Sequence, residues 1–135
     1  MTRLQLERIH YLNNEIRIYE KRLIRLRASL GNSGVSYTDM PKSTEVKDLD
    51  AERLIEALDL EQKIEEHLNE IKRVRNEIYA FMRDIEDPCI RLIIGLRCIG
   101  LKTWDKIADT LGGGNSADGV RKLYVRYLES HLDPD

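Results

Sequence analysis

From residue 2 to residue 30, Ile9, Leu12, Ile16, Tyr19, Leu23, Leu26 and Leu30 alternate three and four positions apart. That period is the heptad seam of a coiled coil and predicts one long helix, stopped by Gly31. Residues 31–48 carry Gly, Ser, Asn, Thr and Pro41 with no helical stripe, so they read as a long loop. The bland reading of the loop is a flexible connector. Tyr37 and Met40 are its candidates for docking on a partner or on the helices themselves. A second long helix is predicted from about residue 49 to residue 86. There Ile64, Ile71, Ile78 and Ile85 repeat every seven residues. Leu54, Leu68 and Met82 fill the alternate seam position, and Glu61 and Arg75 interrupt it as polar residues that set register.

The pattern then changes. Asp87–Pro88 suits a helix start, with Asp87 as the cap and proline in the first turn. Residues 88–99 include Ile90, Leu92, Ile93, Ile94, Leu96 and Ile99, and Gly100 ends the run. Because they are apolar nearly all round, they predict the most buried helix of a small C-terminal domain. Thr103 can cap the next helix, whose stripe is Trp104, Ile107, Ala108 and Leu111. The small Ala108 allows a close helix crossing. Gly112, Gly113 and Gly114 stop that helix. Asn115 or Ser116 can cap a last one, with Val120, Leu123, Tyr127 and Leu128 toward the core. The three helices together make a trihelical core.

Charge bears on how the long helices pair. Lys21, Arg22, Arg25 and Arg27 lie late in the first. Asp50, Glu52, Glu56, Asp59, Glu61, Glu65, Glu66 and Glu70 lie early in the second. An antiparallel hairpin sets these opposite signs side by side, which a parallel arrangement does not. Each exposed pair contributes only a few tenths of a kcal/mol, so charge selects orientation more than it stabilises. At about 1.5 Å per residue the helices span roughly 40 and 55 Å. A two-helix rod buries little, so a homodimer through the hairpin is expected.

The 135 residues allow one domain, or a small domain with an extended element. The net charge of −2 gives no global argument for nucleic acid, so any such argument is local. Cys89 and Cys98, nine positions apart on one helix, point to opposite faces and give no disulfide framework. Reduced, cytoplasmic thiols are the simple reading. No secretory signal is visible, and the best apolar run, residues 89–101, is short and contains Arg91 and Arg97, so no membrane association is expected. His10, His67 and His131 have no metal-ligand spacing, and His67 is expected on an exposed helix face. The glycine run lacks the Lys–Ser/Thr pair and preceding strand of a phosphate cradle. No set of nucleophile, base and orienting group can be named, so neither an enzyme nor a cofactor is expected.

The segment 103–132, two short helices joined by a glycine turn, has the layout of a helix-turn-helix. It resembles the C-terminal promoter-reading region of bacterial sigma factors. More closely, it resembles small phage and prophage regulators that join such a region to an N-terminal coiled coil. The resemblance rests on Thr103–Trp104, Ile107–Ala108, Leu111–Gly112, Ser116, Val120–Arg121 and Arg126–Tyr127–Leu128, and it covers residues 87–132. Two features depart from the sigma pattern. Lys106 replaces a usual acidic residue, and the turn from Leu111 to Ser116 is about two residues longer.

On this reading the last helix enters the major groove of double-stranded DNA. Ser116, Ala117, Asp118, Arg121, Lys122 and Val125 are the candidates to meet bases. Arg121 is suited to donate twice to guanine, Asp118 to accept from cytosine, and Ala117 or Val125 to touch a thymine methyl. Asp118 equally suits its own helix N-terminus. Lys102, Thr103, Lys106 and Arg126 are placed for phosphates. Seven basic residues against four acidic ones in 88–132 leave a modest positive field.

The sequence therefore predicts an all-α protein. Residues 1–86 form an antiparallel helical hairpin with its loop at 31–48, and residues 87–135 form the sigma-like domain. The expected function is sequence-specific DNA binding that regulates transcription. The resemblance implies a phage or prophage setting, late-gene activation and contact with RNA polymerase. Two other readings stand beside it. One is a small-terminase-like DNA-packaging recognition subunit, and the other is a helical interaction module that binds no DNA.

Overall fold

The computed structural model describes residues 1–33 and 44–134. The chain is all-helical over them. In chain order the helices are α1 (Arg3–Ser33), α2 (Thr44–Arg83), α3 (Pro88–Ile94), α4 (Trp104–Leu111) and α5 (Ala117–His131), with a π-helical turn, Gly95–Ile99, directly after α3. Gly31 does not stop α1, which runs to Ser33, and α2 begins at Thr44 rather than near 49. A single glycine costs a long helix only about 1 kcal/mol, which neighbouring turns outweigh. The expected loop thus shrinks from both sides, and Tyr37 and Met40 lie outside the described residues.

Two compact units divide the chain: Met1–Leu12 with Glu70–Asp135, and Asn13–Asn69. The first unit has one core, in which Leu6 and Ile9 of α1 and Val74 and Ile78 of α2 join Ile90, Ile93, Ile94, Cys98, Ile107, Ala108, Val120, Tyr124 and Leu128. The expected trihelical core is therefore enlarged by the outer ends of both long helices. Three short helices bury too little apolar surface alone, and the added side chains are among the most buried, with Leu6 and Ile78 at 0% exposure.

The second unit has a smaller core of Leu23, Leu26, Ala57 and Leu60, flanked by Tyr19 and Ile64. Its ion pairs between α1 and α2 include Arg22–Glu56 at 3.0 Å and Arg27–Glu61. Glu15 Oε2 lies 3.3 Å from His67 Nε2. Within the first unit Arg8 meets Glu70 at 2.6 Å. In each unit a basic residue of α1 meets an acidic residue of α2.

The seam of α1 is as its period predicts, extended one step to Leu6. That of α2 differs at alternate positions. Ala57, Ile64, Ile71, Ile78 and Ile85 take one heptad position. The other belongs to Leu60, His67, Val74 and Phe81, three residues after each of the first four rather than four. Leu54 and Leu68 are about half exposed, and Glu61 flanks the seam to pair with Arg27. His67, expected on an open face, sits in the seam, its ring edge-on to Tyr19 at 5.5 Å between centroids. Aliphatic side chains three and four residues along both satisfy a helical stripe, so the sequence alone permits either choice.

The π turn follows from the end of α3. The Gly100 N–H donates to the Gly95 carbonyl at 2.9 Å, and the Lys102 N–H donates to that of Leu96 at 3.0 Å. A Cβ on Gly100 would lie 2.9 Å from the Leu96 carbonyl oxygen, so glycine is required there. Leu101 then takes φ 54, a strained conformation for leucine, with its side chain packed against the core. The Arg97 guanidinium donates to the Lys102 carbonyl at 3.0 Å and lies 4.5 Å from the centre of the Trp104 ring. Leu92 is 43% exposed, so this helix is less enclosed than its composition predicts.

Candidate nucleic-acid interface

Backbone capping sets the geometry of α4 and α5. Thr103 Oγ1 accepts from the Lys106 N–H at 3.3 Å, and Ser116 Oγ accepts from the Gly119 N–H at 3.0 Å. A Cβ on Gly119 would approach that Ser116 oxygen to 3.0 Å, so glycine leaves room for the cap. Between the helices Gly112, Gly113 and Gly114 have φ of 65, 64 and 77, a run that only glycine adopts at small cost. Asn115 closes the turn, its side-chain N–H donating to the Gly112 carbonyl at 2.7 Å. Of the two capping candidates, Ser116 caps α5.

Trp104, Ile107, Ala108 and Leu111 face inward on α4, with Ile107 and Ala108 buried and the other two half-buried. On α5 the buried line is Val120, Tyr124 and Leu128. Leu123, expected in the core, is 39% exposed, and Tyr127 is half-buried with its ring stacked on His131 at 4.2 Å. Tyr124 takes the inward place, and Leu123, about 100° away around the helix, stays outside the buried line. Its ring lies 5.2 Å from that of Trp104, and its hydroxyl lies 3.5 Å from Cys98 Sγ. Burial pushes the Cys98 thiol up to about 11 and holds the Tyr124 phenol far above its usual range. Both groups are neutral structural contacts at physiological pH.

The inward line determines the outward one. Asp118, Lys122 and Arg126, offset by two residues from Val120, Tyr124 and Leu128, run along the opposite side of α5 and are exposed. Asp118 Oδ2 lies 3.0 Å from Lys122 Nζ, and Asp118 Oδ1 lies 3.1 Å from Arg121 Nη2. The Lys122 and Arg121 hydrogen bonds hold the Asp118 carboxyl below its usual range. So Asp118, Arg121 and Lys122 form one cluster. Arg126 stands one turn beyond, and neither it nor Lys102 nor Lys106 has an ion-pair partner among the described residues.

Other sequence candidates fall differently. Val125 is half-buried against the core and Ala117 is half-buried, which limits their use as probes for a methyl group. Ser116 and Thr103 spend an oxygen lone pair on a cap, and each keeps a hydroxyl hydrogen to donate. Lys102, Thr103 and Lys106 are exposed at the start of α4, with the Lys102 backbone held by Arg97. Arg97 was not legible as a positioning residue, because the π turn that aims it has no sequence period of its own.

Among the described residues no group of three His, Cys, Asp or Glu could hold a metal ion, and no helix is long and apolar enough to cross a membrane. No family model, curated protein or solved structure matches this chain.

Proposed function

We propose that this chain is a sequence-specific DNA-binding regulator of transcription, built as an antiparallel helical hairpin followed by a helix-turn-helix domain. The supporting observation is the outward face of α5. It is a capped helix behind a three-glycine turn, carrying Asp118, Arg121, Lys122 and Arg126 opposite a buried line. In this reading α5 lies in the major groove of double-stranded DNA. Arg121 and Lys122 exchange Asp118 for base edges or phosphates, and Arg126, Lys102, Thr103 and Lys106 contact the backbone. The hairpin joins two copies, so that two half-sites are read together. Likeness to sigma factors and prophage regulators further suggests late-gene activation and a contact with RNA polymerase.

Selection from a randomised duplex library at moderate salt tests the proposal, since salt suppresses sequence-independent phosphate binding. A motif enriched by the native chain and lost in Lys122→Ala or Arg121→Ala is expected. Absence of enrichment from folded, helical protein overturns it.

A further inference from the structure

The first unit carries an open apolar groove of about 460 Å³ between the C-terminal end of α2 and α3 with its π turn. Tyr79 and Met82 form one wall, and Leu92, Leu96 and Ile99 form the other. All five belong to the same compact unit, so the groove is a feature of one body. Tyr79 is 45% exposed and Leu92 43%, which leaves both walls partly wet. Gly95 lines the groove too. A Cβ there would stand 3.0 Å from Met82 Cε, so glycine lets the walls approach closely.

The border of the groove is basic. Lys72, Asn76, Tyr79 and Arg83 follow one another at steps of four, three and four, so they share one face of α2. Asn76, Arg83 and Arg91 line a second hollow that shares Tyr79 and Met82 with the first. Lys72 and Arg83 are exposed and have no ion-pair partner among the described residues. Arg91 donates to the Ile85 carbonyl at 3.1 Å and keeps its other N–H groups. The acids of this part of α2 are turned away and already paired. Glu70 and Glu77 stand two residues before Lys72 and Tyr79, on the opposite side of the helix, where they hold Arg8 and Arg73. No acidic side chain of the described residues lines either hollow.

Apolar walls and unanswered cations call for two kinds of group on one ligand. Phosphates satisfy the cations and leave the walls wet, so nucleic acid uses only half of this surface. A purely apolar helix covers the walls and takes the guanidinium groups out of water without a partner, which is costly. A helix with an apolar stripe flanked by carboxylates answers both, and its ridge of side chains suits a trough between two helices.

We propose that this groove docks a helix of another protein, amphipathic and acidic. Its apolar stripe lies between Tyr79, Met82, Leu92 and Leu96, and its carboxylates meet Arg83 and Arg91. Those charge-assisted bonds fix the orientation of the helix, while the apolar walls supply most of the affinity. The site is independent of DNA binding by α5.

Selection from a displayed library of randomised peptides about 18 residues long, applied to the full chain, tests it. Enriched sequences are expected to repeat apolar residues at helical spacing and to carry net negative charge. A synthetic peptide of the enriched sequence is then titrated with the full chain and followed by fluorescence anisotropy. Leu92→Lys is expected to weaken binding about tenfold or more, and Arg83→Glu about threefold or more. Both side chains are exposed, so both variants are expected to stay folded, which circular dichroism checks. The same peptide with its acids changed to lysine should bind the native chain more weakly and Arg83→Glu more strongly than native. No enrichment, enrichment of basic sequences, or a peptide indifferent to both variants overturns the proposal. Two other occupants also overturn it. If no peptide is enriched and random-sequence duplex binds Arg83→Glu more weakly than native, the face is a nucleic-acid contact. If light scattering shows a native dimer that Leu92→Lys turns into a monomer, the groove is an interface between copies. The DNA selection stands or falls separately.

Discussion

Lys122 Nζ lies 3.0 Å from Asp118 Oδ2, so the basic group best placed on the outward line of α5 is held by an acid on the same line. Together with the Arg121 contact, this leaves one net positive charge, rather than two, at the start of the helix. The cluster has to open before either cation can reach a phosphate. Asp118→Asn removes the competitor. It is expected to strengthen binding to random-sequence duplex by about three- to tenfold at low salt, and to steepen the dependence on salt. If Asp118 also accepts from a cytosine, the same variant loses discrimination at that base pair. Unchanged affinity for both random and selected duplexes argues against α5 as the DNA-facing helix.

Burial of Cys98 and Tyr124 makes the first unit sensitive to high pH. The folded thiol titrates at about 11, against 9.0 for an ordinary one, and the phenol is raised further still. The stability tied to the neutral thiol is fully present below pH 9.0. It is lost as pH rises through the folded value, because the unfolded chain ionises first. Urea midpoints measured across that range should fall steadily, and Cys98→Ala should flatten part of the fall. Cys98 should also resist alkylation at pH 8 in native protein while exposed Cys89 reacts.

Gly112 has φ 65 and ψ −156, a region essentially closed to residues with a Cβ, although nothing lies within 4 Å of where that Cβ would stand. The cost of Gly112→Ala is therefore backbone strain without a clash. It should destabilise by about 1–3 kcal/mol. Gly113, also at positive φ (64), should cost about 1–2 kcal/mol as alanine. Thermal unfolding of the two variants distinguishes strain from packing, since a packing origin predicts no loss at either site.

His67 occupies a seam position of α2 between residues that are otherwise aliphatic or aromatic, with its side chain 20% exposed. Its ring contacts are Tyr19 and the Glu15 carboxylate. His67→Leu should stabilise the chain by about 1 kcal/mol, read as a higher urea midpoint with an unchanged slope. A loss of stability instead shows that the contacts with Tyr19 and Glu15 exceed the value of apolar burial.

Much of the architecture was legible from local chemistry. The seam of α1, the Asp87–Pro88 start of α3, the Thr103 cap and the glycine stop after Leu111 each depend on residues a few positions apart. Local hydrogen bonds and backbone preferences act at that range, so the sequence carries them openly. The pairing of Arg22 with Glu56 and of Arg27 with Glu61 also follows from charge blocks visible in the chain.

What tertiary structure alone decided are choices between nearly equivalent local solutions. Tyr124 rather than Leu123 turns inward, and His67 rather than Leu68 enters the seam; each pair is about 100° apart around its helix and either member continues an apolar stripe, so the packing partners decide between them. The recruitment of Leu6, Ile9, Val74 and Ile78 into the C-terminal core joins side chains far apart in the chain. Hydrophobic burial is non-directional and rewards total area, so no local pattern marks which surface a stripe will cover.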